Sequence, residues 1–259
     1  IAPLITYNTR KQKAEKKGNS VSLSTVKSSQ KKENKSNRNT TITTVDFIGA
    51  GQFARSSLIP ALVKCKKLKL QNLVTKTSIS SWATRRKFGF KSIAKNTSEL
   101  FQKKNKSDIL FIATRHSAHT SLILSAQEAG YKNIFVEKPI STNRKEFNLL
   151  KKALIAKPIN LMVGFNRRFS PHTEKVKEFF DADIITNVSY IVNAGYIPSD
   201  HWVFKAKEGR SRIVGEMCHF FDFFQYVTKA KINEVMVKGI DANLEGTIAK
   251  DNITVVCKM

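Results

Sequence analysis

Hydrophobic residues along this chain recur at two spacings, in short β-prone runs and in longer segments of helical period. Val45, Phe47 and Ile48 form the first short run, and apolar positions from Ala54 to Leu62 then recur every three or four residues. Further strands are predicted at residues 70–74, 108–113, 133–136 and 159–165, and further helices at 83–89, 120–130 and 143–156. This alternation predicts an α/β fold, a doubly wound parallel sheet with helices on both faces, over residues 44–168.

The pattern changes after residue 168, and a second domain is predicted at 169–259. Residues 215–227 predict a mainly buried helix, and residues 252–258 alternate like a strand. No turn follows that strand, and the chain starts at Ile1 rather than at a methionine. We therefore expect both ends to be cut from a longer protein.

Residues 1–43 are predicted to be a basic flexible linker, with residues 1–7 as the remnant of an upstream domain. From residue 8 to 44 the chain is rich in Lys, Asn, Ser and Thr and has no periodicity. Such a composition cannot bury enough apolar surface to offset the entropy lost on ordering.

The formal charge of +25 suggests binding to nucleic acid or to a membrane surface. Residues 1–40 hold ten Lys/Arg and two Asp/Glu, and the remaining excess is spread over the chain without interleaved aromatic residues. We favour a solvated surface and no specific nucleic acid, with a nucleic-acid-associated protein as an alternative. No apolar run is long enough for a membrane span and no signal peptide opens the chain, so we expect no membrane partner and a cytoplasmic location.

The cysteines and histidines predict neither disulfides nor a metal site. Cys65, Cys218 and Cys257 are far apart in sequence, and the five histidines show no metal-binding spacing. His116 and His172 are expected on the surface.

The turn after the first strand has the pattern G-x-G-x-x-A, formed by Gly49, Gly51 and Ala54. The first glycine permits a tight turn, the second lets the backbone approach a pyrophosphate, and the small third residue lets the helix pack on the strand. Tight packing alone is the competing explanation. We predict a dinucleotide site formed by Gly49, Ala50, Gly51, Gln52, Phe53 and Ala54.

The end of the second strand bears on the choice of cofactor. Dinucleotide folds often place an acid there to hold the ribose 2′-hydroxyl, but this chain has Thr75 and Lys76 and no carboxylate. A lysine beside hydroxyls favours the 2′-phosphate of NADP. The predicted cofactor is NAD(P), with NADP preferred.

Three later stretches carry a family resemblance: IATRHSAH at 112–119, FVEKPIS at 135–141 and GFNRRFSP at 164–171. With the glycine turn, they resemble the Gfo/Idh/MocA oxidoreductases, a Rossmann-fold family. NAGYIPSDHWV at 193–203 and GEMCHFFD at 215–222 look most similar to the C-terminal oxidoreductase half of bacterial bi-domain oxidoreductases. The resemblance implies that residues 169–259 form a truncated α+β domain with a mainly antiparallel sheet, through which full-length relatives form homo-oligomers.

The resemblance also implies site residues. Lys138 is expected to contact the reacting hydroxyl and the cofactor, and His219 to act as general base, with Glu216 orienting it. Further cofactor contacts are expected from Thr75, Lys76, Thr114, His119 and Glu137. Substrate contacts are expected from Asn166, Arg167, Asn193, His201, Trp202 and Asp222.

Two departures from the family pattern affect the prediction. Many relatives carry Asp four residues before the histidine, where this chain has Gly215. The expected glycine-rich run is reduced to Gly209-Arg210-Ser211-Arg212. We predict an NAD(P)-dependent oxidoreductase acting on a sugar, sugar acid or nucleotide sugar, with a catalytically degenerate dinucleotide-binding paralogue or sensor as the alternative.

Overall fold

A computed structural model describes residues 5–7, 42–179, 185–209, 211–239 and 251–259. The predicted basic linker and the charged position Arg210 therefore lie almost entirely outside the described residues. The parallel sheet begins at Thr43, within one residue of the predicted start.

The described residues from 42 to 163 form one six-stranded parallel sheet, preceded in the chain by a short strand, β1 (Ile5–Tyr7). The sheet strands are β2 (Thr43–Ile48), β3 (Leu68–Val74), β4 (Ser92–Ile93), β5 (Ile109–Ile112), β6 (Asn133–Val136) and β7 (Asn160–Val163). Their spatial order is β4-β3-β2-β5-β6-β7. This is the strand order of a doubly wound Rossmann sheet, so the predicted fold class is confirmed.

Helices connect these strands and continue beyond them. They are α1 (Ile59–Lys64), α2 (Ser78–Phe88), α3 (Thr97–Gln102), α4 (His119–Glu128), α5 (Arg144–Ala156), α6 (Pro171–Glu178) and α7 (Cys218–Thr228). A π-helical stretch, Ala54–Leu58, precedes α1. The side chain of Asn143 accepts a hydrogen bond from Glu146 N, and Glu146 accepts one from Thr142 N, so α5 starts in a reciprocal cap.

Alternate residues of each central strand enter opposite cores. In β5, Leu110 and Ile112 belong to the core on one face, whereas Phe111 belongs to the core on the other, as does Ala113 just after the strand. Phe111 stacks on Phe135 with ring centroids 4.8 Å apart. Because β5 is buried on both faces, its sequence is a continuous run of apolar residues.

The strands after residue 163 belong to two antiparallel pairs, one of which includes β1. β8 (Ile185–Asn187) pairs with β1, and β9 (Glu234–Gly239) pairs with β10 (Ile253–Lys258). The predicted C-terminal strand is confirmed. Every residue of β9 is exposed, so this pair lacks a covering layer within the described residues.

The described residues contain neither a membrane-spanning helix nor a metal-binding cluster. No helix there has the length and apolar character needed to cross a membrane. No group of three or more His, Cys, Asp or Glu side chains there has an arrangement that holds a metal ion.

Candidate functional site at the carboxyl ends of the parallel strands

Gly49 draws the ends of three strands together at the point where the strand order reverses. Its φ is +97°, and its N–H donates to Val74 O at 2.8 Å. A Cβ at this position would lie 2.2 Å from Ala113 O. Only glycine combines the left-handed backbone with this close approach, so the tight turn predicted from the sequence has a steric cause.

Gly51 leaves open space beside the turn. No heavy atom lies within 4 Å of the position its Cβ would take, and its φ is outside the left-handed region. Helical turns follow at once, with Arg55 N donating to Gly51 O at 3.1 Å and Ala54 buried against the sheet. The cradle next to Gly51, flanked by the exposed Gln52 and Phe53, fits the pyrophosphate of a dinucleotide.

The end of β3 offers one free cation. The Thr75 hydroxyl donates to Thr77 O at 2.9 Å and lies 2.8 Å from Ser81 Oγ, while the Thr77 hydroxyl accepts from Ser80 N at the start of α2. Lys76 is exposed, and its side chain makes no hydrogen bond within the described part of the chain. Of these three side chains, Lys76 is the one that carries a positive charge for a cofactor phosphate.

His119 lies beneath the site rather than on its surface. Its side chain is 0% exposed, with Nδ1 2.7 Å from Pro139 O and Nε2 3.2 Å from Thr114 O. Burial lowers its pKa, against the effect of the two carbonyls. We therefore correct the expected direct cofactor contact: His119 joins the loop after β5 to the loop after β6.

Lys138 follows β6 and reaches across to the second domain. Its Nζ donates to Gly215 O at 2.8 Å, and its peptide bond to Pro139 is cis. The preceding Glu137 packs so closely on Gly164 that a Cβ there would lie 2.8 Å from Glu137 Oε1. Burial raises the pKa of Glu137, against the effects of Lys138.

Lys138 lines a cleft with a volume of about 120 Å³. It is lined by His116, Lys138, Ile197, His201, Trp202, Val203, Gly215 and Glu216. The structure thus brings together four of the predicted site residues, Lys138, Glu216, His201 and Trp202. Asn166 and Asn193 are exposed and do not line this cleft.

His219 lies one turn beyond the cleft, on α7 after the π-helical turn Ile213–Met217. Its ring packs edge-on against Phe165 at 6.2 Å, and its buried Nδ1 has no hydrogen-bond partner among the described residues. Burial, then the charges of Lys138 and Arg167, lower its pKa to about 4. A neutral imidazole with an unpaired nitrogen can accept a proton.

Glu216 pairs with Arg212 rather than with His219. Arg212 Nε lies 3.1 Å from Glu216 Oε1, and the same guanidinium donates to Gly195 O at 2.8 Å. The expected orienting contact between Glu216 and His219 is not formed here.

Two arginines connect the loop after β7 to α7. Arg168 forms a two-pronged ion pair with Asp222, whose side chain is buried, and this contact raises the pKa of Arg168. Arg167 lies over the Phe220 ring at 4.7 Å and donates to Tyr190 Oη at 3.2 Å. Both carboxylate oxygens of Asp222 therefore accept hydrogen bonds from Arg168. Asp222, which was expected to contact the substrate, has a structural role here.

The sequence-based prediction missed two residues of this site. His116 was expected on the surface, yet it lines the cleft and its Nδ1 is buried. Glu208 is 0% exposed and accepts hydrogen bonds from Ser117 N and Oγ at 3.1 and 2.9 Å. His116 occurs in a stretch that carries the family resemblance, whereas nothing in the local sequence marks Glu208.

Acid should destabilise this protein through its two cleft-side histidines. The pKa of His116 and that of His219 are both lowered from 6.5 to about 4. Because the unfolded chain then binds protons at higher pH than the folded one, the free energy of unfolding falls as pH drops from 6.5 toward 4. Urea unfolding at stepped pH should show this, and His219→Phe should weaken the dependence, whereas His172→Phe, at an exposed position, should not. An identical slope in all three proteins would contradict it.

A protein-family model and several known proteins are similar to this chain. Residues 43–165 match the model described as "Oxidoreductase family, NAD-binding Rossmann fold", GFO_IDH_MocA. An uncharacterized oxidoreductase, YrbE, of Bacillus subtilis is 27% identical over 198 residues, which is 74% of this chain and 56% of that protein. Inositol 2-dehydrogenase of Rhizobium meliloti is 32% identical over 120 residues, 46% of this chain and 36% of that protein. The chain thus spans about half or less of these curated relatives.

Solved structures share the fold. A scyllo-inositol dehydrogenase from Lactobacillus casei, solved with bound NAD(H) and scyllo-inositol, gives a TM-score of 0.61 at 15% identity and covers 83% of this chain and 66% of its own. An oxidoreductase domain protein from Kribbella flavida gives 0.65 at 18% identity, covering 77% and 56%. These likenesses extend across the sheet and into the second domain.

Proposed function

We propose that this chain, whose residues 43–165 match the model of the Gfo/Idh/MocA oxidoreductase family, is a member of that family and an NAD(P)-dependent oxidoreductase acting on a hydroxyl-bearing carbon of a sugar, sugar acid or nucleotide sugar. The resemblance to the C-terminal half of bi-domain oxidoreductases is part of this proposal. The observation that carries it is the position of Lys138, whose ammonium group stands in a cleft at the carboxyl edge of the sheet. Ligands of open α/β sheets bind at this edge.

The nucleotide end of the site is assigned to the glycine turn. Gly49 holds the strand ends together, and the open cradle at Gly51 receives the pyrophosphate. When bound, the nicotinamide supplies or accepts the hydride. The roles of Thr114 and Glu137 are to border that ring at the ends of β5 and β6.

The protein groups around the reacting carbon handle the proton and the charge on oxygen. Lys138 donates a hydrogen bond to the reacting oxygen and stabilises negative charge as it develops there. His219, neutral above about pH 4, takes the hydroxyl proton in oxidation and returns it in reduction. Lys138 is partly buried and His219 is buried, which strengthens both interactions relative to bulk water.

Cyclic polyols are the first substrates to test. Two relatives reported above are named as inositol dehydrogenases, and the rings of His201 and Trp202 border this cleft. Aromatic faces suit the C–H faces of a polyol, while the lysine and histidine suit its hydroxyls.

A dehydrogenase screen tests the proposal directly. The purified protein is incubated with NAD⁺ or NADP⁺ and with myo-inositol, scyllo-inositol, hexoses, uronic acids and nucleotide sugars, and absorbance at the reduced-nicotinamide wavelength is followed. We expect substrate-dependent reduction with at least one compound. Tight dinucleotide binding without turnover for any compound would instead support a degenerate paralogue or sensor, which the engagement of Glu216 by Arg212 favours.

Lys76→Asp should shift cofactor preference from NADP toward NAD. The substitution replaces an exposed cation by an anion that repels a 2′-phosphate, and no hydrogen bond described here is lost. Dissociation constants for both dinucleotides are measured by fluorescence titration. Lys69→Asp makes the same charge change near the other end of β3 and should leave the ratio unchanged. Equal ratios in parent and Lys76→Asp would remove this residue from the cofactor site.

A further inference from the structure

We propose that His116 is a substrate-contacting residue, whose imidazole forms a hydrogen bond with a polyol hydroxyl beside the one that reacts. This inference rests on the proposed function and names a further contact of the same cleft. His116 begins a short 3₁₀ turn, His116–Ala118, directly after β5. Its side chain lines the cleft together with Lys138 and Gly215.

The ring is held in place without the use of its Nδ1. Trp202 packs edge-on against it with ring centroids 5.1 Å apart, and Arg115 lies over the indole ring, with its guanidinium carbon 4.9 Å from the ring centroid. The neighbouring Ser117 is anchored to the buried carboxylate of Glu208 through two hydrogen bonds. Packing and the Ser117 anchor thus position an imidazole that keeps hydrogen-bonding capacity for a ligand.

The Nδ1 atom of His116 is buried and has no hydrogen-bond partner within the described parts of the chain. Buried polar side-chain atoms usually have a partner, because leaving one unpaired is unfavourable. Here the unpaired atom belongs to a side chain that borders a cleft. In the proposed complex, a ligand hydroxyl in that cleft pairs with the imidazole.

Residue 215 is glycine because the imidazole occupies the space a side chain would need. A Cβ there would lie 2.9 Å from His116 Cε1 and 3.5 Å from Nδ1. The carbonyl of the same residue accepts the hydrogen bond from Lys138 Nζ. The missing side chain therefore lets His116 and Lys138 converge on one backbone segment.

The two converging groups differ in charge. Burial, then His119 and Lys138, lower the pKa of His116 to about 4, against the effect of Glu208. At neutral pH the ring is therefore uncharged and carries one donor and one acceptor nitrogen, whereas Lys138 is a donor only. A lysine and a neutral imidazole side by side match two adjacent hydroxyls of a polyol.

The test compares His116→Phe with His116→Asn. Phenylalanine keeps a ring against Trp202 and Gly215 but has no nitrogen, and asparagine keeps a polar atom near the Nδ1 position. With myo-inositol and NAD⁺ as probes, or the best pair from the screen, we expect His116→Phe to raise KM about tenfold or more, with a smaller effect on kcat. The dinucleotide dissociation constant should be unchanged, and His116→Asn should recover most of the lost affinity.

Gly215→Ala provides a second test that does not remove the imidazole. The added methyl group should displace the His116 ring and raise KM in the parent, but have little effect in a His116→Ala background, where the space is free. The two substitutions are thus expected to be non-additive. Thermal unfolding of each variant confirms that it folds.

The outcomes separate the two claims. An active parent with unchanged KM in folded His116→Phe, or with additive effects of the two substitutions, would overturn the role of His116 and leave the proposed function intact. A parent that binds dinucleotide but turns over no compound in the screen would overturn the proposed function, and this inference with it.

Discussion

Replacing Lys138 with alanine is expected to lower kcat by about 10²–10⁴-fold, the range typical of groups that act on the proton or charge in the transition state. The side chain reaches the cleft from the carboxyl end of β6 and makes one hydrogen bond, to Gly215 O. In the proposed mechanism this substitution removes the cation that faces the reacting oxygen, while the glycine turn proposed to hold the dinucleotide is untouched. Dinucleotide affinity should therefore stay close to that of the parent.

Lys132→Ala is the matched control for this prediction. Lys132 is exposed and lies just before β6, at the opposite end of the same strand. The Lys132→Ala substitution removes one positive charge, as Lys138→Ala does, but leaves the cleft unchanged. We therefore expect kcat to be the same as in the parent. Equal activity of Lys138→Ala and Lys132→Ala would show that Lys138 takes no part in the chemistry.

The same kinetic measurement tests whether His219 is the general base. If it is the general base, His219→Ala should also lose turnover, and the double variant with Lys138→Ala should lose less than the product of the two single losses, because groups that act as a unit are not additive. Full activity of His219→Ala would show that another group takes the proton. Both outcomes are informative for His219, because its Nδ1 has no partner among the described residues while its side chain does not line the cleft.

Gly51→Val is expected to abolish measurable dinucleotide binding, with a loss of at least about 100-fold in affinity, while the protein folds normally. No atom lies within 4 Å of the added Cβ position, and the backbone there is not left-handed, so the valine is accommodated in the folded chain. It then occupies the space where the pyrophosphate approaches the backbone. Affinity is measured by titration, and stability by thermal unfolding.

Gly49→Ala is the contrasting variant, two residues away in the same turn. Its methyl group would lie 2.2 Å from Ala113 O on a backbone with φ of +97°. We expect a loss of more than about 3 kcal/mol in the free energy of unfolding. Parent-like stability of Gly49→Ala, or parent-like dinucleotide affinity of Gly51→Val, would show that the turn does not have these two roles.

The elements predicted well are those whose signals are local. β6 matches its predicted bounds, and α5 starts at Arg144 behind the Asn143 cap and ends at Ala156, as its caps and periodicity indicated. β4 and α3 were missed, since two strand residues and one and a half helical turns carry too short a pattern to recognise. Their positions depend on pairing with β3 and on burial of Leu100 in the core.

The candidate site shows the same contrast between local motifs, which the sequence predicted, and long-range contacts, which it did not. The glycine turn and the E-K-P segment are contiguous motifs at strand ends, and parallel strands bring their carboxyl ends to one edge whatever the details of packing. His116, Glu208 and Gly215 are separated by up to about a hundred residues. Their relation arises only when the 3₁₀ turn after β5 meets the second domain.

By itself, the sequence determined the alternation of the longer strands with helices and the glycine turn, because strand alternation and glycine sterics act over a few residues. Only the tertiary structure decided which ionisable groups are free to react. It pairs Glu216 with Arg212 and Asp222 with Arg168, and it buries His119 between two carbonyls. It leaves His116 and His219 each with a nitrogen that has no partner among the described residues. Pairing and burial depend on distances across the fold, and no spacing along the chain encodes those distances.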